Sequence, residues 1–228
     1  MQSNPRSSLA GYSPRIYDWR GRRLWMTGEE MQAFLNAAES APAPWRTLLQ
    51  VLAFTGCNPA EALALRPAHI DLASRSVHFE TLRRRTGKAS VRTVPLPGFV
   101  LADLDSVHAV DSAQSASHRG LTAPLLWPWS DVTAWNRINR VIEIAGIEPG
   151  PHATARGLRH GFATLALAHD IPLDVLQNWL GHARIYATRR AYDPDGKRPL
   201  ATQQYTAAEQ REFAARIWNT LGSPVPER

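Results

Sequence analysis

The stretch from Arg156 to Tyr192 constrains this chain more than any other. Gly157-Leu158-Arg159-His160, Leu180-Gly181-His182 and Tyr192 follow in that order, with Tyr192 set close behind Arg189 and Arg190. Two short helices are expected between them, about 157–169 and 172–180. Pro172 sits at N1 of the second, and Gly181 closes it at C′. The chemistry is as restricted as the shape. A guanidinium grips phosphate bidentately, a tyrosine hydroxyl is a nucleophile once activated, and cations can hold the charge that develops as it attacks. The order of these residues suggests a site that handles a phosphodiester.

Charge agrees with that suggestion. The 228 residues carry a net charge of +6 and a sequence pI of about 10.1, which points to a polyanionic partner. Lys88 and Lys197 are the only lysines, so the positive charge is almost wholly arginine. That favours phosphate recognition, although an arginine-rich codon bias would have the same result. Charge alone also fits an RNA or membrane-surface binder, but little beyond the pI supports either. Cys57 is the only cysteine, so no intrachain disulfide can form and a reducing cytoplasm suits the chain. No apolar run approaches the roughly 18 residues of a membrane span, and no signal-peptide core is evident. The expectation is a cytoplasmic protein with no membrane partner.

The length and the 44% hydrophobic content allow one sizeable core. Residues 1–26 read as an N-terminal arm, 27–221 as the domain and 222–228 as a tail. Thr27 and Glu30 form a capping box for a helix over 28–39. A second helix follows Pro42 and Pro44, with Trp45, Leu48, Leu49 and Leu52 on one face. Asn58, Pro59 and Glu61 occupy the N-cap, N1 and N3 positions of a third helix that should end near Arg66-Pro67. The period then changes to two. Val77, Phe79 and Thr81, a turn at Arg85-Thr86-Gly87-Lys88, and Val91, Thr93 and Val94 predict a β-hairpin with a basic tip. Residues 105–123 show no strong period and read as a loop or weak helix. Ser130 caps a helix that ends at Gly146, the Tyr192 segment is helical, and a last helix spans about 206–221.

These motifs resemble the catalytic domain of the tyrosine recombinase, or phage integrase, family. Its pattern is His-x-Leu-Arg-His, then Leu-Gly-His, then a nucleophilic Tyr. Upstream, Thr55-Gly56-Cys57-Asn58-Pro59-Ala60-Glu61 resembles the family's Thr-Gly-x-Arg-x-x-Glu box. The resemblance covers about residues 27–221. It implies an α+β fold, mainly helical with a small antiparallel β-sheet, and duplex DNA as partner. It also implies cleavage through a phosphotyrosine bond with no metal and no cofactor.

Residue by residue, the resemblance makes Arg159, His182, Lys88 and Tyr192 the candidate catalytic groups, with Arg156 standing where the family has a histidine. An arginine there can hold phosphate but cannot shuttle a proton near neutral pH. Asn58 replaces the first family arginine, and its alternative role is simply the helix cap. Tyr192 lies ten residues after His182, where the family spacing is usually nine. One extra residue turns a helical side chain by roughly 100°, so Tyr192 is either the nucleophile or a packing residue. The DNA-binding set is Arg83, Arg84, Arg85, Lys88, Arg92, Arg184, Arg189 and Arg190. His152, His160 and His182 lack the spacing of a zinc site. The 26 residues before Thr27 are too few for the family's N-terminal DNA-clamping domain, so binding is expected to be weaker or to need an oligomer or a partner recombinase. The helix at 206–221, with Phe213, Ile217 and Trp218, would pack on a neighbouring subunit or on its own core. The departures favour a DNA-binding regulator or accessory factor over a working recombinase.

Overall fold

The computed structural model describes residues 16–82, 89–116, 123–193, 195–198 and 204–222. Helix α1 (Gly28–Glu39) opens at the expected box: Glu30 N–H donates to Thr27 Oγ1 at 3.2 Å, and Thr27 N–H donates to Glu30 Oε2 at 2.8 Å. Helix α2 (Ala43–Thr55) is the centre of the molecule, with every residue from Thr47 to Thr55 buried. A helix buried on all sides needs partners all round, and α2 packs on α1, on α4 (Gly98–His108) and on α7 (Ala155–Ala168). Most of its buried polar groups are matched, Gln50 Oε1 being the exception. Thr47 Oγ1 lies 3.0 Å from His108 Nε2, and the buried Trp127 donates its indole N–H to Pro44 O at 2.9 Å.

Helix α3 (Pro59–Leu63) follows, a turn shorter than the sequence predicts, and a 3-10 turn at Pro67–His69 leads into the sheet. Strands β1 (Ile70–Asp71), β2 (Ser76–Leu82) and β3 (Ala89–Pro95) form one antiparallel sheet in that order. Val77 faces Val94, and Phe79 faces Arg92. The tip of the β2–β3 hairpin, with Arg83, Arg84, Arg85 and Lys88, lies outside the described residues.

The region read as loop or weak helix at 105–123 is mostly helical where it is described. Helix α4 runs to His108, and α5 (Val110–Ala116) follows after Ala109, whose φ of 50° breaks the axis. Val100, Leu101 and Leu104 anchor α4 in the core, but α5 buries only Val110, so its sequence carries no apolar period to read. Helices α6 (Asp131–Ile144), α8 (Leu173–Leu180), α9 (Ile185–Tyr192) and α10 (Ala207–Thr220) complete the chain. Pro172 is the N-cap residue of α8, one position before the expected N1. Helix α10 packs on α7 and β3 of its own chain, with Ala214 and Ile217 buried. No helix among the described residues is long and apolar enough to cross a membrane.

Candidate active site

Helix α7 begins at Ala155, two residues earlier than expected. Its N-cap is Thr154, whose Oγ1 accepts from Gly157 N–H at 3.0 Å. The earlier start puts Arg156 on the helix, one turn before His160, so that both share a face. Arg156 Nε approaches His160 Nε2 at 3.3 Å, and His160 Nδ1 lies 2.6 Å from the Tyr192 hydroxyl. A guanidinium only donates. Nε2 of His160 is therefore the acceptor, its proton is on Nδ1, and the Tyr192 oxygen accepts that proton's hydrogen bond. Burial, then the charges of Arg156 and Arg159, hold His160 at a pKa of about 4, so the ring is neutral at pH 7. Burial pushes Tyr192 up to about 12 against the pull of Arg159 and Arg156. Tyr192 is only 8% exposed, so the extra residue before it has not turned it to the surface.

Arg159, on the same helix, has other partners. It donates through Nη1 to Gly56 O and through Nη2 to Leu180 O, each at 2.7 Å. Gly56 ends α2 and Gly181 ends α8, both left-handed, with φ of 62° and 69°. The orphan carbonyls at two helix ends thus hold one guanidinium in place. Burial lowers its pKa, with Glu61 and Tyr192 acting in the opposite sense. His182 comes next after Gly181, its Nδ1 2.8 Å from Oγ1 of the buried Thr188 on α9. Burial and then Arg159 and Arg92 lower His182 to about 4. Arg159, His160, His182 and Tyr192 are therefore brought to one corner between α7, α8 and α9. Cys57, buried beside it, has its thiol pushed up to about 12 by burial and is no nucleophile.

Asn58 lies at the N-terminus of α3, exposed, and its N–H donates to Glu61 Oε2 at 2.9 Å. The site-directed arginine that the resemblance would place there is absent. Arg92, expected among the DNA contacts, needs correction. It is 5% exposed, and its Nη1 and Nη2 donate to Glu61 Oε1 and Oε2 at 2.8 and 2.7 Å. Its Nε donates to Trp179 O at 2.8 Å, and its guanidinium carbon lies 4.7 Å over the Phe79 ring. A methyl group on Gly181 would come within 2.9 Å of Arg92 Nη1, so glycine there both turns the chain and admits the guanidinium. Of the other expected contacts, Arg184 is exposed, while Arg189 and Arg190 are half-buried on α9. Sequence reasoning missed Glu61 as an ion-pair partner and Thr188 as the support of His182. Glu61 already had a sufficient explanation as an N3 cap. Among the described residues, no three His, Cys, Asp or Glu side chains converge as a metal ion would require.

This arrangement can hold an anion at a guanidinium flanked by neutral imidazoles and a tyrosine hydroxyl, in a helical domain with one small sheet. Residues 24–197 match the model of the phage integrase family, and the chain belongs to that family of tyrosine recombinases. It is 31% identical over 189 residues to the tyrosine recombinase XerD of Mycobacterium leprae, covering 74% of this chain and 57% of that protein. It is 30% identical to XerD of Xanthomonas campestris pv. campestris, covering 72% and 53%. The chain thus spans about half the length of these relatives. Among solved structures, the XerH recombinase in its post-cleavage complex with a palindromic difH substrate superposes with a TM-score of 0.61 at 23% identity, covering 90% of this chain and 57% of that one. XerA recombinase gives 0.58 at 22% identity, covering 84% and 64%. These likenesses are of fold.

Proposed function

We propose that the chain is a duplex-DNA-binding protein built on a recombinase catalytic domain, a regulator or accessory factor that cuts DNA little or not at all. The observation that carries this reading is Asn58, exposed at the N-cap position of α3 with its backbone N–H on Glu61, where the family places an arginine on the phosphate. Losing one transition-state donor from comparable sites costs on the order of 10²–10³ in rate. Proton transfer is also poorly served. Arg156 replaces a histidine, and His160 presents Nδ1–H to Tyr192 and so cannot accept the hydroxyl proton while Arg156 holds Nε2. Arg159 remains to grip a phosphate, and Arg184 with the basic hairpin tip would extend the contact along the backbone. A reducing cytoplasm is the setting this implies.

A working recombinase is the second reading. It is favoured by the Tyr192 hydroxyl, which lies in the same corner as Arg159 despite the longer spacing. Nicked suicide DNA carrying the protein's own site separates the two. Little or no covalent complex is expected by denaturing gel and mass spectrometry. A substantial adduct on Tyr192 that vanishes in Tyr192→Phe would replace the first reading with the second.

A further inference from the structure

Residues 17–23, ahead of α1, form a tight turn closed by a bridge between Tyr17 and Arg23. Asp18 builds it from inside. Its Oδ1 accepts from Arg20 N–H and Arg22 N–H, each at 2.9 Å, and its Oδ2 accepts from Arg22 Nε at 2.8 Å. Backbone bonds from Asp18 N–H to Arg22 O and from Leu24 N–H to Ile16 O, at 2.9 and 2.8 Å, complete the hairpin. Those bonds hold the Asp18 carboxyl below its usual range, and its side chain is only 13% exposed. The tip shows the opposite character to solvent. Trp19 is 82% exposed, the Arg20 guanidinium carbon stacks 4.5 Å over its ring, the Arg22 side chain is 56% exposed, and Tyr17 is half open.

A large indole left in water on a short, well-bonded turn contributes nothing to the core. An exposed aromatic stacked with a guanidinium is suited to nucleic acid, where the ring meets bases or sugars and the cation meets phosphate. The position of the hairpin fits as well. Met26 N–H, two residues beyond Leu24, donates to Gly157 O at 3.0 Å. The hairpin is therefore anchored to the first turn of α7, next to Arg156 and on the helix that carries Arg159. Arg23, at the base, is spent on Glu30, and Arg22 is tied through Nε to Asp18, which leaves Arg20 and the outer nitrogens of the largely exposed Arg22 as the outward charge.

Building on the DNA-binding reading above, we propose that this tip is a second DNA contact, with the Trp19 indole wedged into the minor groove and Arg20 and Arg22 on flanking phosphates. Narrow minor grooves attract arginine, and flat apolar side chains enter them between base steps. The contact is independent of whether the site cuts.

The test is fluorescence anisotropy with a fluorescein-labelled duplex made of A·T-only steps, so that netropsin can fill its minor groove, at several salt concentrations. Trp19→Ala is expected to weaken binding about tenfold with the salt slope unchanged, and Trp19→Phe to recover part of the loss. Arg20→Ala should lower the slope by about 0.9, the value of one phosphate contact. Saturating the duplex with netropsin beforehand should abolish the difference between wild type and Trp19→Ala. Thermal melting checks that the exposed substitutions leave the fold intact. Wild-type affinity and slope in both variants would overturn the hairpin contact while leaving the DNA-binding reading in place. A difference that survives netropsin would exclude the minor groove. No duplex binding by the wild type would overturn both readings.

Discussion

Arg92, buried on β3, and Arg159, half-buried on α7, do different work because their partners differ. Arg92 meets a carboxylate with both terminal nitrogens, a carbonyl with its Nε and an aromatic face with its plane, so its charge is neutralised inside the fold. Arg159 is held by two carbonyl oxygens, and among the described residues its hydrogen bonds reach no carboxylate. Carbonyl dipoles fix a guanidinium without cancelling its charge, and a charge fixed but uncancelled is available to a phosphate. In this corner of the fold the ion-paired arginine is structural and the carbonyl-bound arginine is the functional candidate.

Stability measurements can break that distinction. Arg92→Ala takes the paired guanidinium from the half-buried Glu61 carboxylate, which keeps only the Asn58 N–H and the more distant Arg159 among its described partners, and should cost about 3 kcal/mol in chemical denaturation. Arg159→Ala should cost about half of that or less, because two carbonyls rather than a charge lose a partner. DNA affinity should fall in Arg159→Ala at temperatures where both variants remain folded. Equal destabilisation by the two substitutions would show that Arg159 is structural too.

The histidines of the corner sharpen the comparison through pH. His160 and His182 are held near 4 in the folded chain, below the ordinary 6.5, so unfolding takes up protons. Their contribution to stability is complete above about pH 6.5 and should be lost progressively as the pH falls towards and through 4. Urea titrations at pH 7, 5.5 and 4.5 are expected to show that decline, and His160→Gln should flatten it. A variant with the wild-type pH dependence would mean that His160 titrates normally.

The smallest effect concerns Asn58. It holds the N-cap position with no side-chain bond to the helix, so replacement by Ala should cost about 0.5 kcal/mol, the low end of the capping range, and replacement by Asp very little. A loss well above about 1 kcal/mol in Asn58→Ala would show instead that the side chain itself closes the helix in solution.

The elements with a strong signal were legible from the sequence: the capping box of α1, the alternation in β2 and β3, and the Pro and Gly punctuation around α8. Helices α4 and α5 were obscured because one is short of polar alternation and the other has a single buried anchor. Within the site, Arg159 and His182 were located by their motifs, and the structure brings both to one corner with Tyr192. The fate of Tyr192 was not readable, since a helical spacing argument cannot say how the loop between Gly181 and α9 takes up one residue. Arg92 was misassigned for a related reason. A basic residue beside a basic turn reads as surface charge until the carboxylate 31 positions earlier is seen to meet it.

The two carbonyls that seat Arg159 belong to residues 103 positions before it and 21 after it. The guanidinium can take up its geometry only after the chain has closed a loop of 103 residues, one of the late, non-local events of folding. That geometry is therefore the signature of a chain that has finished folding. A nascent or nicked chain lacking either helix end would carry the same arginine with no direction to its charge.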